Sequence, residues 1–575
     1  MRNIGIPYEA INPEIKELAE QHARNPEAVL EILQALQARH GSLSEHRIED
    51  VARSLNIGAA RVQGIATFYT MLATEPHPAH TLRICDGPPC RLRGADTVRA
   101  GAEELAGGDW HIERTSCLGL CDIAPAALAG LDQTGLLTPE GLPGLLAGRR
   151  AELPRYDRPL PGETRVILAG TAEIDPGSID SALAHGAYAG LKKALAHPPD
   201  EIIEAVENSG LRGRGGAGFP TGRKWRFVAG ETAPEKFVVC NADESEPLCF
   251  KDRVVMENHP HRLLEGIAIA GYAAGAHEAY IYIRGEYERQ ARVLETAIRQ
   301  AEESGYLGDG ILGTDFSFKV HVHRGAGAYI CGEESALLNS LEGRRGEPRI
   351  RPPYPTTSGF RGMPTIVNNV ETLAAVPAIL VEGASWYRSL GHPEHPGTKL
   401  YTILGHVNRP GLFEAPYGLT LREIISHFGG GMQAGSEFHF ALSGGAAGTI
   451  VPEKLLDLPI TPNSAAEGVT LGPGAFLICD RSVSPVDLVR QLVHFFEVES
   501  CGLCTPCRIG TRRTGQVLDG ILSGGAAVGV SDEQKRLARL LERDSLCGLG
   551  QSVAWPLNSA MVHFPELFNF QAKRG

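Results

Sequence analysis

The 575-residue chain has no uninterrupted apolar run long enough to cross a membrane. Its longest apolar stretch, residues 263–283, is broken by Glu265, His277 and Glu278, which predicts a buried helix leading into a strand. No apolar secretory segment opens the chain, so we expect a cytoplasmic protein whose cysteines stay reduced. Basic residues are also in deficit, and the formal net charge of −13 argues against a nucleic-acid partner.

The chain is large and rich in the residues that make tight loops. Its length and a hydrophobic fraction of 43% allow several cores, roughly three to five domains of about 100–200 residues each. Its 68 glycines and 38 prolines predict many tight turns, as where backbone closes around a bound cofactor. The composition therefore favours a large enzyme subunit without membrane insertion.

Four cysteines near the C-terminus have the spacing of iron–sulfur ligands. Cys501, Cys504 and Cys507 form a CxxCxxC triple in ESCGLCTPCR, and Cys547 follows later in CGLG. Three tightly spaced thiolates with a distant fourth are typical of a [4Fe–4S] cluster, and Pro506 is expected to stiffen the loop. The alternatives are a structural zinc site, which also accepts four thiolates, and disulfides. Zinc sites more often pair two CxxC units, so the pattern favours the cluster and an electron-transfer function.

A second set of cysteines lies upstream with a different spacing: Cys85, Cys90, Cys117 and Cys121. CxxxxC and CxxxC pairs suit a [2Fe–2S] cluster with two thiolates on each iron, whereas disulfides are disfavoured in a reducing compartment. Gly87, Pro88 and Pro89 predict a rigid loop, not a helix, at the first pair. The other four cysteines are expected to be ordinary buried thiols: Cys240, Cys249, Cys331 and Cys479.

Composition and periodicity divide the chain into five regions, with a proline- and charge-rich linker at residues 156–164. The first region is helical, and Ser44 and Asn56 are predicted N-caps of two successive helices. The second alternates short strands with helices, the third is α/β, the fourth has compact strands and the fifth is helical. The predicted bounds are 1–75, 76–155, 165–397, 398–484 and 485–575.

The α/β region contains a glycine-rich loop and two acidic segments. The loop, LRGRGGAGFPTGRKW, follows a helical segment; its glycines let backbone N–H groups approach a phosphate, while Arg214 and Lys224 add charge. It lacks the preceding strand of the ordinary dinucleotide fingerprint. NADESEP follows the strand FVVC, and GAGAYICGEE follows the strand KVHVH. Acidic clusters are most often solvated surface, but acids directly after buried strands are expected to face a ligand.

In their order, these motifs resemble the flavoprotein subunit of respiratory NADH dehydrogenase and its relatives in NAD-reducing hydrogenases and metal-dependent formate dehydrogenases. The resemblance runs from residue 202 to the C-terminus, through LRGRGGAGFPTGRKW, CNADESEP, FKDR, GAGAYICGEESAL, PTIVNNVETL, ESCGLCTPCR and CGLG. Residues 15–150 resemble the small thioredoxin-like [2Fe–2S] subunit that accompanies this flavoprotein, here fused into one chain. The fusion favours the hydrogenase and formate dehydrogenase branches, and SGGAAGTIVP at 443–452 looks most like the formate dehydrogenase version.

The resemblance implies a multidomain α/β fold. Its parts would be a helical N-terminus with a thioredoxin-like [2Fe–2S] domain, an α/β domain for FMN and NADH, a ubiquitin-like β-grasp domain (soluble-ligand-binding-like), and a C-terminal helical bundle with the [4Fe–4S] cluster. The implied FMN residues are Gly213, Arg214, Gly215, Lys224, Asn241, Asp243, Glu244, Tyr329, Gly332, Glu333, Glu334, Val367, Asn368, Asn369 and Thr372. The implied NADH residues are Phe219, Phe227, Glu246, Arg351 and Tyr354.

Three positions depart from the family's pattern. Arg351 stands where lysine is usual, Tyr354 where phenylalanine is usual, and Leu248–Cys249 replaces Gly–Thr. The charge at position 351 is kept and a tyrosine can still stack on adenine, so the site is expected to persist. The Leu248–Cys249 change is expected to alter local shape or flavin tuning.

The resemblance further implies a diaphorase subunit, in which hydride passes between NAD(H) and FMN and single electrons pass through the iron–sulfur clusters. Hydride transfer between cofactors requires no catalytic acid, base or nucleophile. The chain shows no molybdopterin or nickel signature, so a partner must carry the substrate-oxidising centre. The expected partner holds a molybdenum or tungsten pterin and oxidises formate; the alternatives are a [NiFe]-hydrogenase and a respiratory NADH dehydrogenase. We expect the [2Fe–2S] cluster to lie off the main electron route.

Overall fold

The computed structural model describes residues 11–524 and 530–568, with the backbone alone described at 530 and 531. Residues 1–10 of the predicted N-terminal helical region lie outside the described residues, as do 525–529 and 569–575 of the predicted C-terminal one. Within the described ranges, every helix falls short of the length or the apolarity that a membrane span requires.

Four helices form the N-terminal region: α1 (Pro13–Gln21), α2 (Val29–His40), α3 (Glu45–Ser54) and α4 (Ala59–Ala66). Ser44 is confirmed as an N-cap, because its hydroxyl accepts a hydrogen bond from the Arg47 amide at 3.4 Å. The prediction for Asn56 is wrong: Gly58 is the N-cap of α4, and Asn56 lies just beyond α3 with a left-handed φ of 53°. Asparagine tolerates this conformation, so it serves the end of one helix and not the start of the next.

The second region is a four-stranded sheet with helices against it. Its elements are β1 (His80–Cys85), α5 (Pro88–Leu92), α6 (Ala95–Leu105), β2 (Trp110–Thr115), β3 (Ala127–Ala129), β4 (Asp132–Thr134) and α7 (Leu142–Leu146). The strand order is β2-β1-β3-β4, with β1 and β2 parallel and the other neighbours antiparallel. The predicted loop at the first cysteine pair is wrong: Pro88 and Pro89 open α5, and Cys90 lies in it. Proline suits the first helical turn, where its missing N–H has no intrahelical partner to lose.

A parallel sheet forms the centre of the α/β region. Its elements are α8 (Ile179–Ala184), α9 (Ala189–Leu195), α10 (Pro199–Ser209), α11 (Thr221–Gly230), β5 (Phe237–Ala242), α12 (Lys251–Asn258), α13 (Pro260–Ala274), β6 (Glu278–Ile283), α14 (Glu288–Glu303), β7 (Lys319–Arg324), α15 (Glu334–Leu341), α16 (Pro355–Ser358), β8 (Thr365–Asn369), α17 (Val370–Glu382) and α18 (Ala384–Ser389). The strand order is β7-β6-β5-β8, and every neighbouring pair is parallel. The apolar stretch 263–283 is a buried helix, α13, followed by the strand β6, as predicted.

A short hairpin and a five-stranded mixed sheet follow. The elements are β9 (Gly391–His392), β10 (His395–Pro396), β11 (Thr398–Gly405), β12 (Gly411–Pro416), α19 (Leu421–Glu423), β13 (Phe438–Ser443), β14 (Thr449–Pro452) and β15 (Ala475–Asp480). The sheet order is β12-β11-β15-β13-β14, with β11 and β15 parallel and the other pairs antiparallel. One face of this sheet has its own core, in which the rings of Phe413 and Phe428 stack with centroids 4.0 Å apart.

The last region is helical: α20 (Pro485–Glu499), α21 (Thr505–Leu522), α22 (Val530–Asp544), α23 (Gly548–Ser552) and α24 (Ala554–His563). The prediction that Pro506 stiffens a loop is wrong. Pro506 lies in the first turn of the helix α21, a position that again suits proline. The N-terminal helices, the first sheet, the parallel sheet and these last helices share one continuous hydrophobic core. Both cysteine-bearing segments therefore contribute to the same core as the parallel sheet.

Candidate functional site

A cleft of about 260 Å³ lies at the carboxyl ends of the parallel strands. From β5 the sheet grows one way through β6 and β7, and the chain later places β8 on the other side of β5. Such a switch point leaves a crevice beyond the strand ends, where α/β folds bind ligands. Asn241 of β5 and Asn369 of β8 pair across this point, and both line the cleft.

The glycine-rich loop follows α10 and is closed by its own backbone. The Gly213 amide donates a hydrogen bond to the Phe219 carbonyl at 2.8 Å. A Cβ on Gly215 would lie 3.1 Å from the Cβ of Asn369, tighter than ordinary van der Waals contact. Gly216 has a φ of 122°, which other residues rarely adopt. The loop thus brings bare backbone to the rim of the cleft, as close approach to a phosphate requires.

A buried network of charges lies beneath the loop. Lys251 contacts Asp252 at 2.6 Å and Glu371 at 3.1 Å, and Lys399 contacts Glu371 at 3.1 Å. Asp252 also accepts a hydrogen bond from the Asn369 side-chain amide at 2.6 Å. Burial by itself would raise the pKa of Glu371, but Lys399 and Lys251 hold it below its usual value. The network therefore fixes the end of β8 with ionised groups.

Glu246 is half-buried in the wall of the cleft, and both of its carboxylate oxygens accept hydrogen bonds. The Tyr329 hydroxyl donates to Oε2 at 2.6 Å, and the Ala447 amide donates to Oε1 at 2.9 Å. Burial raises the pKa of Glu246 to about 7, although these donors act to lower it. Its charge therefore changes near neutral pH.

Glu244 faces the protein more than the cleft. Its carboxylate accepts hydrogen bonds from the Asp252 and Arg253 amides at 2.8 and 2.9 Å, in the first turn of α12. The Tyr287 hydroxyl and the Cys249 thiol donate to it as well, at 3.1 and 3.3 Å. Burial raises the pKa of Glu244 to about 7. Glu244 therefore anchors a helix start at the edge of the cleft.

The cleft brings together most of the acidic and amide residues that the sequence predicted. Those that line it are Gly215, Asn241, Asp243, Glu244, Glu246, Tyr329, Gly332, Glu333 and Asn369. The other predicted FMN residues lie outside this lining: Gly213, Arg214, Lys224, Glu334, Val367, Asn368 and Thr372. Some of these hold the loop, since the Thr372 hydroxyl accepts a hydrogen bond from the Arg214 amide at 2.9 Å.

The expectation that the Arg214 side chain adds charge to the cleft is wrong. Its guanidinium is buried behind the loop, donates to the Tyr387 hydroxyl (2.9 Å) and the Pro396 carbonyl (3.4 Å), and lies 4.7 Å from the Tyr417 ring centroid. The Arg214 carbonyl accepts a hydrogen bond from Lys399 at 3.3 Å. The side chain therefore fixes the shape of the loop.

Val367 and Asn368 are buried, whereas Lys224, Glu334 and the predicted NADH residues other than Glu246 lie toward the outside of the protein. Lys224 donates to the Val367 carbonyl at 3.0 Å and contacts Glu334 at 3.4 Å, and Arg351 contacts Glu334 at 3.2 Å and Glu333 at 3.5 Å. The predicted stacking residues are accessible: Phe219 is 42% exposed, Phe227 45% and Tyr354 56%. The Phe219 and Phe227 ring centroids lie 6.4 Å apart. These aromatic faces are open to a stacking ligand.

The C-terminal cysteines converge on one small apolar cavity: Cys501, Cys504, Cys507 and Cys547 all line it. Cys507 lies in the first turn of α21 and Cys547 is the N-cap of α23. Helix N-termini stabilise negative charge, which suits thiolate ligands. Ile330 and Leu549 line both this cavity and the cleft, so a single layer of side chains separates the two.

The N-terminal cysteines also converge. The Cys85 thiol contacts those of Cys90 and Cys117, and the Cys117 and Cys121 sulfurs are 3.4 Å apart. The Gly87 amide donates a hydrogen bond to the Cys85 sulfur at 3.4 Å. The sulfur ligands of iron–sulfur clusters commonly accept such hydrogen bonds. All twelve cysteines lie in the described residues and are free thiols in this structure.

Arg284 connects the N-terminal cysteine set to the cleft. Its guanidinium donates to the Cys117 carbonyl and to the Glu244 carbonyl, both at 2.6 Å, and pairs with Glu286 at 2.8 Å. The contact is close, because a Cβ on Gly119 would lie 1.9 Å from the Tyr287 hydroxyl oxygen. Arg284 therefore links the N-terminal cysteine set to Glu244, a residue of the cleft wall.

The residues present fit the groups that the sequence implied. Each cysteine set supplies four converging sulfurs, the donor number of an iron–sulfur cluster. At the cleft, the buried Glu333 Oε1 accepts no hydrogen bond within the described part of the chain, although the Arg351 guanidinium lies 3.5 Å from it. A sugar or ribityl hydroxyl in the cleft would satisfy such an acceptor.

Two features of the site were missed or left open from the sequence. The Lys251/Asp252/Glu371/Lys399 network was given no role, although FKDR and NNVETL contain three of its members. At the Leu248–Cys249 pair, Leu248 is buried with a left-handed φ of 78°, a conformation that favours the glycine usual in the family, and Cys249 lines the cleft.

Four family models match successive parts of the chain. They describe a thioredoxin-like [2Fe-2S] ferredoxin (residues 15–150), a Nuo51 FMN-binding domain (206–378), an SLBB domain (400–446) and the iron-sulfur binding region of NADH-ubiquinone oxidoreductase-F (487–571). The matches bear out the two iron–sulfur clusters, FMN and NADH as the cofactors. They also decide between a cluster and zinc at the C-terminal cysteines, in favour of the cluster.

Two relatives match about 400 residues of the chain. The chain is 46% identical over 405 residues to the F 2 polypeptide of the NADH-quinone oxidoreductase of Rhizobium meliloti (strain 1021), covering 70% of this chain and 96% of the relative. It is 43% identical over 403 residues to the HndC polypeptide of the NADP-reducing hydrogenase of Solidesulfovibrio fructosivorans, covering 70% and 82%.

A solved structure is similar over nearly the whole chain. It is a chain of an air-oxidised NAD+-reducing [NiFe]-hydrogenase, with a TM-score of 0.83 and 31% identity, covering 96% of this chain and 95% of that one. The similarity includes the N-terminal regions that the F-type relatives do not match. The chain therefore belongs to the family of NADH-oxidising FMN and iron–sulfur (F-type) oxidoreductase subunits, with a thioredoxin-like [2Fe–2S] domain in the same chain.

Proposed function

We propose that the cleft exchanges hydride with NAD(H) and that electrons leave it through the C-terminal cysteine cavity. The observation that carries this proposal is the shared wall of the two sites, formed by Ile330 and Leu549. A flavin supplies the chemistry that joins two-electron and one-electron carriers when bound. The chain itself has to hold the coenzyme and the flavin in contact, and to keep the cysteine cavity free of water and close to the cleft.

In this proposal, different groups of residues bind FMN and NADH. The glycine-rich backbone at Gly213–Gly215 and the strand-end amides Asn241 and Asn369 would hold FMN, with the other implied FMN residues supporting them. The exposed rings of Phe219, Phe227 and Tyr354 would stack on NADH, and Glu246 would face its ribose. Arg351 would hold Glu333 and Glu334 in place at the outer end.

For the partner we propose a subunit with a molybdenum or tungsten pterin that oxidises formate. The support is the segment SGGAAGTIVP, which resembles the formate dehydrogenase version and whose Ala447 amide donates a hydrogen bond to Glu246 in the cleft. A [NiFe]-hydrogenase partner is the second candidate, and the full-length similarity to a chain of such an enzyme favours it. Metal analysis of the co-purified complex tests the choice: molybdenum or tungsten supports formate, and nickel overturns it.

The first expected result concerns coenzyme choice. Glu246, with Asp243 and Glu244 nearby, should carry the charge that repels the extra 2′-phosphate of NADPH, because burial keeps the pKa of Asp243 well above its usual value and Glu244 is bonded to the start of α12. We therefore expect a strong preference for NADH. Glu246→Gln should raise the NADPH-to-NADH ratio of kcat/KM roughly tenfold, the effect of removing about 1.4 kcal/mol of repulsion. Steady-state assays with ferricyanide measure the ratio, and Glu235→Gln, an exposed acid outside the cleft, is the control. Equal efficiency of the unmodified protein with both coenzymes would refute the prediction.

The second expected result concerns pH. Because the pKa of Glu246 is raised to about 7, its charge grows as pH rises through that value. The NADPH-to-NADH ratio of kcat/KM should therefore fall between roughly pH 6 and pH 8. The 2′-phosphate itself ionises at about pH 6 and Glu244 also has a raised pKa of about 7. Glu246→Gln keeps both contributions, so the difference between the two pH profiles isolates Glu246. Identical pH profiles for the two proteins would contradict the assignment.

A further inference from the structure

The hairpin between α18 and β11 brings three possible metal ligands together. His392 ends β9, Pro393 and Glu394 form the turn, and His395 begins β10, so the two histidines pair directly across the strands. Their ring centroids lie 5.5 Å apart and the planes are 26° from parallel. One ligand atom from each of His392, Glu394 and His395 lies within 4.8 Å of the others.

The His395 ring packs near Tyr417, with centroids 6.4 Å apart, but its nitrogens are unused within the described structure. His395 is 3% exposed, and neither of its ring nitrogens has a hydrogen-bond partner there. A buried imidazole without partners is costly, because its polar atoms have lost water and gained nothing. His392 is half-buried and Glu394 is exposed, so the group opens to solvent on one side. An ion could enter from that side and satisfy the buried ring.

We propose that His392, Glu394 and His395 bind a first-row divalent transition-metal ion, of which Zn²⁺ is the probe. Two imidazoles and one carboxylate match the ligand preferences of zinc and leave a fourth position for water. Bonds of about 2.0–2.2 Å would draw the three side chains closer than they now lie. Coordination through Nδ1 of His392 would replace the long hydrogen bond (3.2 Å) that this atom accepts from the Glu394 amide.

The site would brace the base of the glycine-rich loop. Pro396, next to His395, accepts a hydrogen bond from the Arg214 guanidinium and packs so closely on Gly210 that a Cβ there would lie 2.6 Å from its ring. Metal binding at the turn therefore fixes a segment that already supports the loop. The site is separate from both cysteine sets, whose cavity and contacts contain none of these three residues.

The test measures zinc in the complete, cluster-loaded protein without a polyhistidine tag. After dialysis against a mild chelator, with iron content checked before and after, the protein is equilibrated with Zn²⁺ and bound zinc is counted. We expect His392→Ala to lose one zinc equivalent and Glu394→Gln to bind it at least about tenfold more weakly. His427→Ala, an exposed histidine in the five-stranded sheet region, should keep the full count. Zinc should also raise the Tm of the unmodified protein and not that of His392→Ala.

The ligands are identified by X-ray absorption at the zinc edge. Nitrogen and oxygen at about 2.0–2.1 Å, without sulfur near about 2.3 Å, are expected. A sulfur shell would place the zinc at cysteines and overturn the proposal. Equal zinc content in the unmodified protein and in a folded His392→Ala variant, whose Tm without zinc is unchanged, would overturn it as well.

Discussion

Replacing Cys507 by serine is expected to abolish turnover with the partner's substrate while NADH still bleaches the flavin absorbance. The cleft and its lining residues stay intact in this variant, because Cys507 belongs to the neighbouring cavity. Removing a hydrogen-bond partner of a metal ligand typically lowers metal affinity or activity by about 10- to 100-fold. Removing the ligand Cys507 itself should therefore lower the overall rate by at least about 100-fold. Rapid-mixing absorbance follows the flavin, and a steady-state assay with formate or hydrogen follows the complex.

Two variants calibrate this result. Cys479→Ser changes a buried thiol of β15 that lines neither cysteine site, and it should leave turnover near normal. Cys117→Ser should be much milder than Cys507→Ser if the N-terminal cluster is a side branch. Near-normal turnover in a folded Cys507→Ser protein that lacks its cluster would contradict the proposed exit. A complete block in a well-assembled Cys117→Ser protein would place the N-terminal cluster on the main route.

Glu371→Gln is expected to destabilise the protein by about 3–5 kcal/mol, the usual cost of removing one partner from a buried ion network. In the variant, buried Lys251 keeps Asp252 as a carboxylate in contact, whereas buried Lys399 keeps none within the described residues. Lys399 also donates to the Arg214 carbonyl, so the loss should loosen the glycine-rich loop and weaken FMN retention. Denaturant unfolding measures the stability, and flavin release on gel filtration measures the retention.

The control is Glu382→Gln at the far end of the same helix, where the side chain is exposed. Surface changes of this kind are usually within about 0.5 kcal/mol of neutral. If Glu371→Gln were no more destabilising than Glu382→Gln, the network would not support the site. Normal flavin retention in a clearly destabilised Glu371→Gln protein would separate stability from cofactor binding.

The network also explains why the loop keeps its shape. Lys399 and Thr372 hold its backbone at Arg214, and the buried Arg214 side chain is held by Tyr387, Pro396 and Tyr417. A site built on such supports is preorganised, so ligand binding does not have to order the loop. The proposed metal hairpin adds one more support at the same end of the loop.

The sequence by itself determined the parts of this protein whose chemistry is local. Cysteine spacing indicated both iron–sulfur sites, because ligands a few residues apart must converge on one group. Acids placed directly after buried strands predicted the cleft, since the carboxyl ends of parallel strands meet at one edge. The Ser44 cap and the helix-to-strand pattern at 263–283 followed from the same short-range rules.

Only the tertiary structure decided how distant residues meet. The direction of the Arg214 side chain depends on Tyr387 and Tyr417. Both residues are far from Arg214 in the sequence, so no local pattern around Arg214 predicts the contact. The shared wall of Ile330 and Leu549 likewise joins the parallel sheet to the C-terminal helices. Local spacing fixes which groups can bind a cofactor, whereas packing of the common core fixes which sites lie close enough to exchange electrons, and a linear pattern contains no information on that distance.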